Sequence, residues 1–122
     1  MTLGVGQFCT NPGLIFIHED HAEVIATETS KLVAESASSA MLNGGICDAY
    51  CGGLEALENH SGVKQLAKAN AGDGVNQAVA ALFQTDLETF LSSETLTDEV
   101  FGPASIIAVS YTHLTLPTIL LV

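Results

Sequence analysis

The sequence predicts an α/β fold in which parallel strands are flanked by helices. The first observation is Leu14–Ile17, a short apolar run whose β-branched and aromatic residues are typical of a strand buried on both faces. The second is the helical pattern that follows it directly, with an N-cap signal at Asp20. The third is a late strand-like run, Ser105–Val109. A buried strand followed at once by a capped helix is the pattern of α/β proteins.

The first helix is expected to start at an Asp20 N-cap, with Glu23 three residues on completing a capping box. It is expected to run to about Ser36. Its apolar positions expected to face a core are Val24, Ile25, Leu32 and Val33.

The middle of the chain is expected to hold helices separated by glycine-rich breaks. Breaks are predicted at Ser38-Ser39 and Asn43–Gly45, around Met41-Leu42. A second helix is predicted from Ile46, although Gly52-Gly53 weakens it because each glycine costs about 1 kcal/mol relative to alanine. Its apolar residues recur at helical spacing: Ile46, Tyr50, Leu54 and Leu57.

Ser61 is expected to cap a third, short helix that stops at a surface turn, Asn70–Gly74. The apolar residues of this helix are Val63, Leu66 and Ala67. The turn lacks the glycine spacing and the lysine of a phosphate loop. A strand is predicted over Ala78–Phe83, and Leu87–Leu91 fits either a strand or a helix.

The composition allows one domain with a modest core. The chain has 122 residues, and 48% of them are hydrophobic, which excludes a disordered segment. Its 14 acidic residues face only three basic ones, all lysine, and the net charge is -11. Nucleic acid is excluded as a partner, because phosphate contacts need cations. No long apolar run predicts a membrane span, and the N-terminus lacks the pattern of a signal peptide, so we expect a cytoplasmic protein with no membrane partner.

The three cysteines, Cys9, Cys47 and Cys51, form an odd set without the spacing of a disulfide framework, which favours a reducing compartment. Cys47 and Cys51 are four residues apart, so they share one face of the second helix. They lack the further Cys or His ligands of a zinc site. We therefore expect two small helix-packing residues and no metal.

The segment with the strongest chemical signal is Gly6–Gly13, GQFCTNPG. It places Cys9 between a glycine-rich approach and an Asn-Pro-Gly turn, which predicts a tight connection. An accessible thiol on such a connection is a candidate nucleophile. The alternative is a small buried cysteine that fills a core gap, and spacing alone favours that alternative.

Gly6–Gly13 resembles the active-site cysteine segment of aldehyde dehydrogenases, and its CTNPG form resembles the branch that oxidises 2-oxoglutarate semialdehyde (2,5-dioxopentanoate). A second segment, Glu99–Pro103 (EVFGP), matches the Glu-x-Phe-Gly-Pro segment of the same family and follows the cysteine in the same order. Without the family, Asp98-Glu99 equally fits acids in the first turn of a short helix. The two motifs together identify residues 1–108 as part of an aldehyde dehydrogenase catalytic domain.

The resemblance implies covalent oxidation of a small aldehyde to a carboxylate. The Cys9 thiolate adds to the aldehyde, hydride passes to NAD or NADP, with NADP the preferred cofactor, and a thioester is then hydrolysed. By the same resemblance, Glu99 hydrogen-bonds the hydroxyls of the nicotinamide ribose, and Phe101 packs near the nicotinamide ring. The resemblance also implies no metal and a homo-oligomeric full-length enzyme.

The family places its oxyanion asparagine, its general-base glutamate and its dinucleotide-binding domain before the cysteine segment. This sequence begins eight residues before Cys9, so we expect an internal fragment that has no dehydrogenase activity alone. None of the acids that follow the cysteine replaces the base, because they lie in or near the first helix, where solvated surface is expected. These acids are Glu19, Glu23, Glu28 and Glu35.

The last residues, 109–122, do not resemble the family. Val109–Thr118 resembles one reading frame of an adapter used to prepare sequencing libraries, and we exclude this tail from the fold. The alternative is a divergent strand, Leu114–Val122, broken by Pro117. On the first interpretation, His113 is not a catalytic residue.

Two further functional classes remain. One is a small acidic α/β interaction module in which all three cysteines are structural. The other is a thiol hydrolase, which needs a histidine paired with Cys9. No motif ties His18, His21 or His60 to Cys9.

Overall fold

The computed structural model describes residues 13–70, 74, 76–93, 96, 100 and 102–111. Its elements in chain order are β1 (Leu14–His18), α1 (Glu19–Glu35), β2 (Ser39–Ala40), α2 (Gly44–Glu58), β3 (Lys64–Lys68), β4 (Gln77–Ala78), β5 (Ala81–Asp86), α3 (Leu87–Ser92) and β6 (Ala104–Ser110).

A four-stranded sheet in the order β1-β6-β5-β3 forms the centre of the fold. Strands β1, β6 and β5 are parallel, and β3 pairs antiparallel with β5. Strands β2 and β4 form a separate antiparallel pair. The predicted α/β fold, with parallel strands and flanking helices, is therefore confirmed, and β3 adds an antiparallel edge.

The core lies on both faces of the sheet, because neighbouring residues of a strand point to opposite faces. Phe83 and Ile106 belong to a cluster with the buried face of α2, whereas Leu82 and Ile107 belong to a cluster with α1. All seven residues of β6 are buried. The continuous apolar runs in the sequence follow from this two-sided burial.

The start of α1 corrects the prediction of an Asp20 N-cap. The helix begins at Glu19, directly after β1, and His18 is its N-cap. The Nδ1 atom of His18 accepts a hydrogen bond from the Asp20 N–H at 3.2 Å. No linker separates strand from helix, so the last strand residue already has the extended backbone that an N-cap needs. The end of α1 at Glu35, one residue before its C-cap Ser36, agrees with the prediction.

Half of the predicted core face of α1 is wrong. Val33 is buried and Ile25 packs against the core, but Val24 is 66% and Leu32 is 70% exposed. A helix on a sheet buries one stripe with a spacing of three to four residues. Here the stripe includes Ala22, Ile25 and Val33, and Val24 and Leu32 lie off it.

The predicted break at Asn43–Gly45 is the start of α2. The Oδ1 atom of Asn43 accepts from the Ile46 N–H at 2.9 Å, so Asn43 is the N-cap. The predicted helix itself is confirmed, because three of its four apolar residues are buried and Ile46 packs against the core: the buried ones are Tyr50, Leu54 and Leu57. Cys47 is buried as expected, but Cys51 is exposed and does not pack in the core.

The short helix predicted after Ser61 is wrong. Lys64–Lys68 form β3, which pairs with β5. Pairing with a neighbouring strand overrides a weak local helical pattern. The local sequence pattern does not show which strand will lie beside this segment. The strand predicted over Ala78–Phe83 is two strands, because Val79 and Ala80 separate β4 from β5.

Two other predictions concern the last third of the chain. Leu87–Leu91, which fitted a strand or a helix, forms most of α3. The strand predicted over Ser105–Val109 is confirmed as β6, which continues to Ser110 and pairs with β1. The exclusion of Val109 and Ser110 from the fold as part of the predicted tail is wrong, because both are buried residues of β6. Residues 112–122 of the tail lie outside the described residues. No helix in the described ranges is long and apolar enough to cross a membrane.

The N-cap of α3 generates a pH-dependent prediction. The Thr89 N–H donates to Asp86 Oδ1 at 2.6 Å, and this hydrogen bond holds the pKa of Asp86 below its ordinary value. Asp86→Ala should lower the free energy of unfolding by about 1 kcal/mol at pH 7, measured by urea denaturation.

Because the folded-state pKa of Asp86 is depressed, its contribution is complete above the unfolded pKa of about 3.9 and is lost as the pH falls through the lower folded value. The difference between Asp86→Ala and the unmodified chain should therefore shrink in acid. Asp86→Asn, which keeps a capping oxygen, is the control and should stay close to the unmodified chain at pH 7. A difference from Asp86→Ala that is constant down to pH 2 would contradict this account.

Candidate functional site

The predicted site residues Cys9, Glu99 and Phe101 all lie outside the described residues. The structure does describe the residues that follow or flank them in the chain. Gly13 ends the cysteine segment, and Val100, Gly102 and Pro103 belong to the second segment. These neighbours define where the two segments join the sheet.

The two segments lead into neighbouring parallel strands. Gly13 precedes β1 and Pro103 precedes β6. The Ile106 N–H donates to the Gly13 carbonyl at 2.9 Å, and Leu14 is in register with Ile106. Because parallel strands start at the same edge of a sheet, both segments reach the sheet from the same side.

The third parallel strand starts at this edge as well. The Ala81 N–H, at the beginning of β5, donates to the Pro103 carbonyl at 3.0 Å. The edge is therefore made by the amino ends of β1, β6 and β5. Open α/β sheets more often bind ligands at the carboxyl ends of their strands, so fold class alone would have directed attention to the opposite edge.

Helix α2 supports the second segment on both sides of position 101. A Cβ added at Gly53 would lie 3.0 Å from Cγ1 of Val100. A Cβ added at Gly102 would overlap the ring of Tyr50, 2.6 Å from its Cε1. An added side chain at Gly102 would collide with the Tyr50 ring, so glycine is required there. An added methyl group at Gly53 would fit only if Val100 moved.

Tyr50 fixes this contact from inside the core. It is 1% exposed, and its hydroxyl donates to the Val79 carbonyl at 2.7 Å. Burial, with a smaller effect of Cys51, raises the pKa of Tyr50 well above its ordinary value, so the hydroxyl stays a neutral donor. One side chain therefore joins α2, the connection between β4 and β5, and the segment that leads into β6.

Sequence reasoning missed the roles of Tyr50 and Gly53. It counted Tyr50 as one more apolar position and treated Gly53 as evidence against the helix. The sequence did contain a signal, because Gly53 lies inside a clear helical pattern. A glycine kept in a helix despite its cost often marks the close approach of another backbone. The identity of the approaching segment, however, depends on tertiary contacts.

A histidine–serine contact elsewhere does not have the geometry of a catalytic pair. The Gly62 N–H donates to Nδ1 of His60 at 3.0 Å, and Nε2 of His60 lies 3.2 Å from Oγ of Ser93. With Nδ1 as an acceptor, the neutral ring carries its proton on Nε2 and donates it to Ser93. His60 is therefore no base toward Ser93, and it holds the turn before β3 in place.

The other histidines and cysteines do not form a metal centre in the described part of the chain. His18 caps α1 and His21 is exposed. Across the described ranges, no group of three or more His, Cys, Asp or Glu side chains could hold a metal ion. Cys47 and Cys51 are free thiols.

Comparison with known proteins points to one family. No family model matches the chain. The chain is 39% identical over 108 residues to alpha-ketoglutaric semialdehyde dehydrogenase 2 of Azospirillum brasilense, covering 88% of this chain and 21% of that protein. It is 38% identical over 107 residues to alpha-ketoglutaric semialdehyde dehydrogenase of Acinetobacter baylyi, covering 86% and 20%. The chain thus spans about a fifth of the length of these curated relatives.

A solved structure supports the same assignment at the level of the fold. The NAD⁺ complex of an aldehyde dehydrogenase from Bacillus cereus matches with a TM-score of 0.72 at 14% identity. The match covers 88% of this chain and 23% of that one. The sheet and helices described above therefore have the arrangement of one part of an aldehyde dehydrogenase.

The two adjacent glycines of α2 provide a matched test of the helix–segment contact. Gly52 has nothing within 4 Å of an added Cβ, whereas Gly53 faces Val100. Gly52→Ala should raise the free energy of unfolding by about 0.5–1 kcal/mol, because it removes chain entropy from the unfolded state. Gly53→Ala should fall short of Gly52→Ala by about 1 kcal/mol or more, because Val100 must move. Urea denaturation measures both, and equal gains would contradict the contact.

Proposed function

Because this chain corresponds in sequence and fold to a segment of the aldehyde dehydrogenases, we propose that it carries the nucleophile and part of the nicotinamide site of such an enzyme. The reaction proposed is the NAD(P)-dependent oxidation of 2-oxoglutarate semialdehyde to the carboxylate. The observation that carries the proposal is the entry of the Cys9 and Glu99–Pro103 segments into adjacent parallel strands, β1 and β6, at one edge of the sheet. The semialdehyde named for both relatives supports the choice of substrate.

Chain geometry supports a shared site for the two segments. Cys9 precedes Leu14 by five residues and Glu99 precedes Ala104 by five, so each lies within about 18 Å of its strand, at about 3.6 Å per residue. Neighbouring strands are about 4.8 Å apart. These limits allow one substrate-sized ligand to contact both segments, and α2 contacts Val100 and Gly102 of the second segment.

In the proposed reaction, the Cys9 sulfur attacks the aldehyde carbon and forms a thiohemiacetal. The backbone N–H of Cys9 donates to the oxygen that becomes negatively charged. Bound NAD or NADP supplies the acceptor for the hydride that leaves this carbon. The thioester that remains on Cys9 is hydrolysed to the carboxylate, and the thiol is regenerated.

The second segment has residue types suited to nicotinamide nucleotide binding. The Glu99 carboxylate is an acceptor for ribose hydroxyls, and the flat Phe101 ring offers an apolar surface to a flat ring. The flanking residues Val100 and Gly102 contact α2. We take either NAD or NADP as the cofactor, with NADP preferred and with no metal.

The charge of the chain suggests that other parts of the enzyme bind the anionic groups of the cofactor and the substrate. The chain has no arginine and a net charge of -11, so it offers few partners for the phosphates of the cofactor or the carboxylate of the substrate. Backbone amides, helix ends or other parts of the enzyme must bind those anions. We therefore propose that the chain alone is inactive. From the resemblance to the family we also propose that the whole enzyme is a homo-oligomer, and we place it in the cytoplasm.

A chimera tests the proposed role of Cys9. Residues 1–108 would replace the matching segment of the Azospirillum brasilense relative. The chimera should reduce NAD(P) with 2-oxoglutarate semialdehyde, and Cys9→Ser should lower kcat by about 10³-fold or more, because the attacking thiol is lost. The isolated 122-residue chain should form no NAD(P)H.

Unfolding temperature and nucleotide binding of the chimera separate misfolding from loss of chemistry. A chimera that folds, binds nucleotide and remains fully active with Cys9→Ser would refute the assignment of the nucleophile. Rapid turnover by the isolated chain would refute its proposed inactivity.

The same chimera tests Glu99 with a matched glutamate. Glu99→Gln should raise the KM for NAD(P) about tenfold, because a hydrogen bond to a charged acceptor contributes about 1.5–3 kcal/mol and the amide keeps part of it. Glu28→Gln, on the exposed side of α1, makes the same chemical change outside the proposed site and should leave KM unchanged. Steady-state kinetics at varied nucleotide concentration measures both, and equal KM values for the two variants would exclude the ribose contact.

A further inference from the structure

We propose that Cys47 and Cys51 form a two-sulfur site on α2 for a thiophilic ligand that bridges both thiols, and that trivalent organoarsenicals are the ligand class it takes. Both cysteines are free thiols, one buried at 7% exposure and one exposed to solvent. They are four residues apart on α2, about one helical turn, so their side chains lie on the same face of the helix. The proposal concerns two residues of α2 and does not depend on the proposed enzyme function.

Helix geometry favours a bridged pair over a disulfide. Residues four apart on a helix have Cβ atoms about 5–6 Å from each other, whereas a disulfide needs about 3.5–4.5 Å. A direct bond between Cys47 and Cys51 would therefore distort the turn. An inserted atom adds a second bond to sulfur, about 2.3 Å long for a metal thiolate, and spans the wider gap with the helix intact.

The two cysteines are the only protein groups that this site offers in the described ranges, so the bound atom must be one that needs only two sulfur ligands. In the described ranges no third His, Cys, Asp or Glu completes a metal-binding group with this pair. Zinc binds in structural sites with four ligands, so it fits this pair poorly. Thiolates select soft, thiophilic ions. Trivalent arsenic that carries one organic group has two remaining positions, and two cysteines fill both.

The two thiols differ in exposure, and this difference sets the order of the two steps of the condensation. Burial, together with the neighbouring Cys51, raises the pKa of the Cys47 thiol, and the Cys47 sulfur lies 3.8 Å from the Gln77 carbonyl. The exposed Cys51 thiol reacts first, and Cys47 closes the ring. Two S–H and two As–O bonds break, two As–S bonds form, and the two protons leave with the two hydroxides as water. Arsenic stays trivalent, so no oxidant is required.

Phenylarsine oxide and the complete chain provide the test. Cleavage after lysine places Cys9 in residues 1–31 and both helix cysteines in residues 32–64, because the lysines nearest to them are Lys31 and Lys64. Mass spectrometry should find one phenylarsenic bridge per chain, on residues 32–64. The bridge should survive excess glutathione and be removed by a 1,2-dithiol, because two attachments raise the effective affinity about 100-fold or more.

Two variants decide whether the helix builds the site. Cys51→Ser should lose glutathione resistance about 100-fold. The double variant Cys51→Ser/Gly52→Cys keeps two thiols near each other in sequence but turns one to another face, and Gly52 has open space for a side chain. It should lose the bridge when folded and regain it in urea. Circular dichroism checks that both variants keep their helix content.

Three outcomes would overturn the proposal. The first is a bridge on residues 1–31, and the second is a Cys51→Ser variant that resists glutathione like the unmodified chain. The third is a folded double variant that binds as tightly as the unmodified chain. That third outcome would show that sequence proximity alone holds the arsenical and that the helix contributes nothing.

Discussion

The contact of the buried Tyr50 with Gly102 is the constraint on which the arrangement around the sheet edge depends. Its hydroxyl satisfies the Val79 carbonyl just before β5, and its ring lies against the residue that precedes Pro103 and β6. Two of the three parallel strands are thus positioned at their starts by one side chain of α2. The Tyr50 hydroxyl stays protonated because its pKa is raised, and its ring is closely packed against Gly102. The starts of β5 and β6 therefore have little freedom to move.

The sequence predicts the parts of this fold whose signals are local. Buried strands such as β6 are visible as apolar runs, and α2 is visible from the spacing of Tyr50, Leu54 and Leu57. Prediction from the sequence fails where the structure of a segment depends on the element that packs beside it. The strand β3 exists because β5 lies beside it, and Val24 is exposed because only one stripe of α1 meets the sheet. The N-cap shifted to His18 because strand and helix share a residue at their junction.

The candidate site divides in the same way. Two short motifs predict Cys9, Glu99 and Phe101 as site residues from residue type and order, and this information is contained in the sequence. The position of Gly13 and Pro103 at one sheet edge depends on the parallel pairing of β1 with β6, which periodicity does not give. The contacts that Gly53 and Tyr50 make with the second segment are harder still to predict from the sequence, because they join residues about fifty positions apart. Gly53, which weakened the helix prediction, is therefore part of the contact between α2 and the second segment.

The two outer strands of the sheet differ in how they face solvent. β3 carries Lys64 and Lys68, charges of the kind that discourage a further strand from adding to an edge. β1 is the other outer strand, and no strand of the described ranges pairs with its free side. Its residues Leu14–Ile17 are apolar and only half-buried. A strand edge that pairs with no described strand and lies beside half-buried apolar side chains is a template for strand addition, so self-association of the isolated chain would begin at β1.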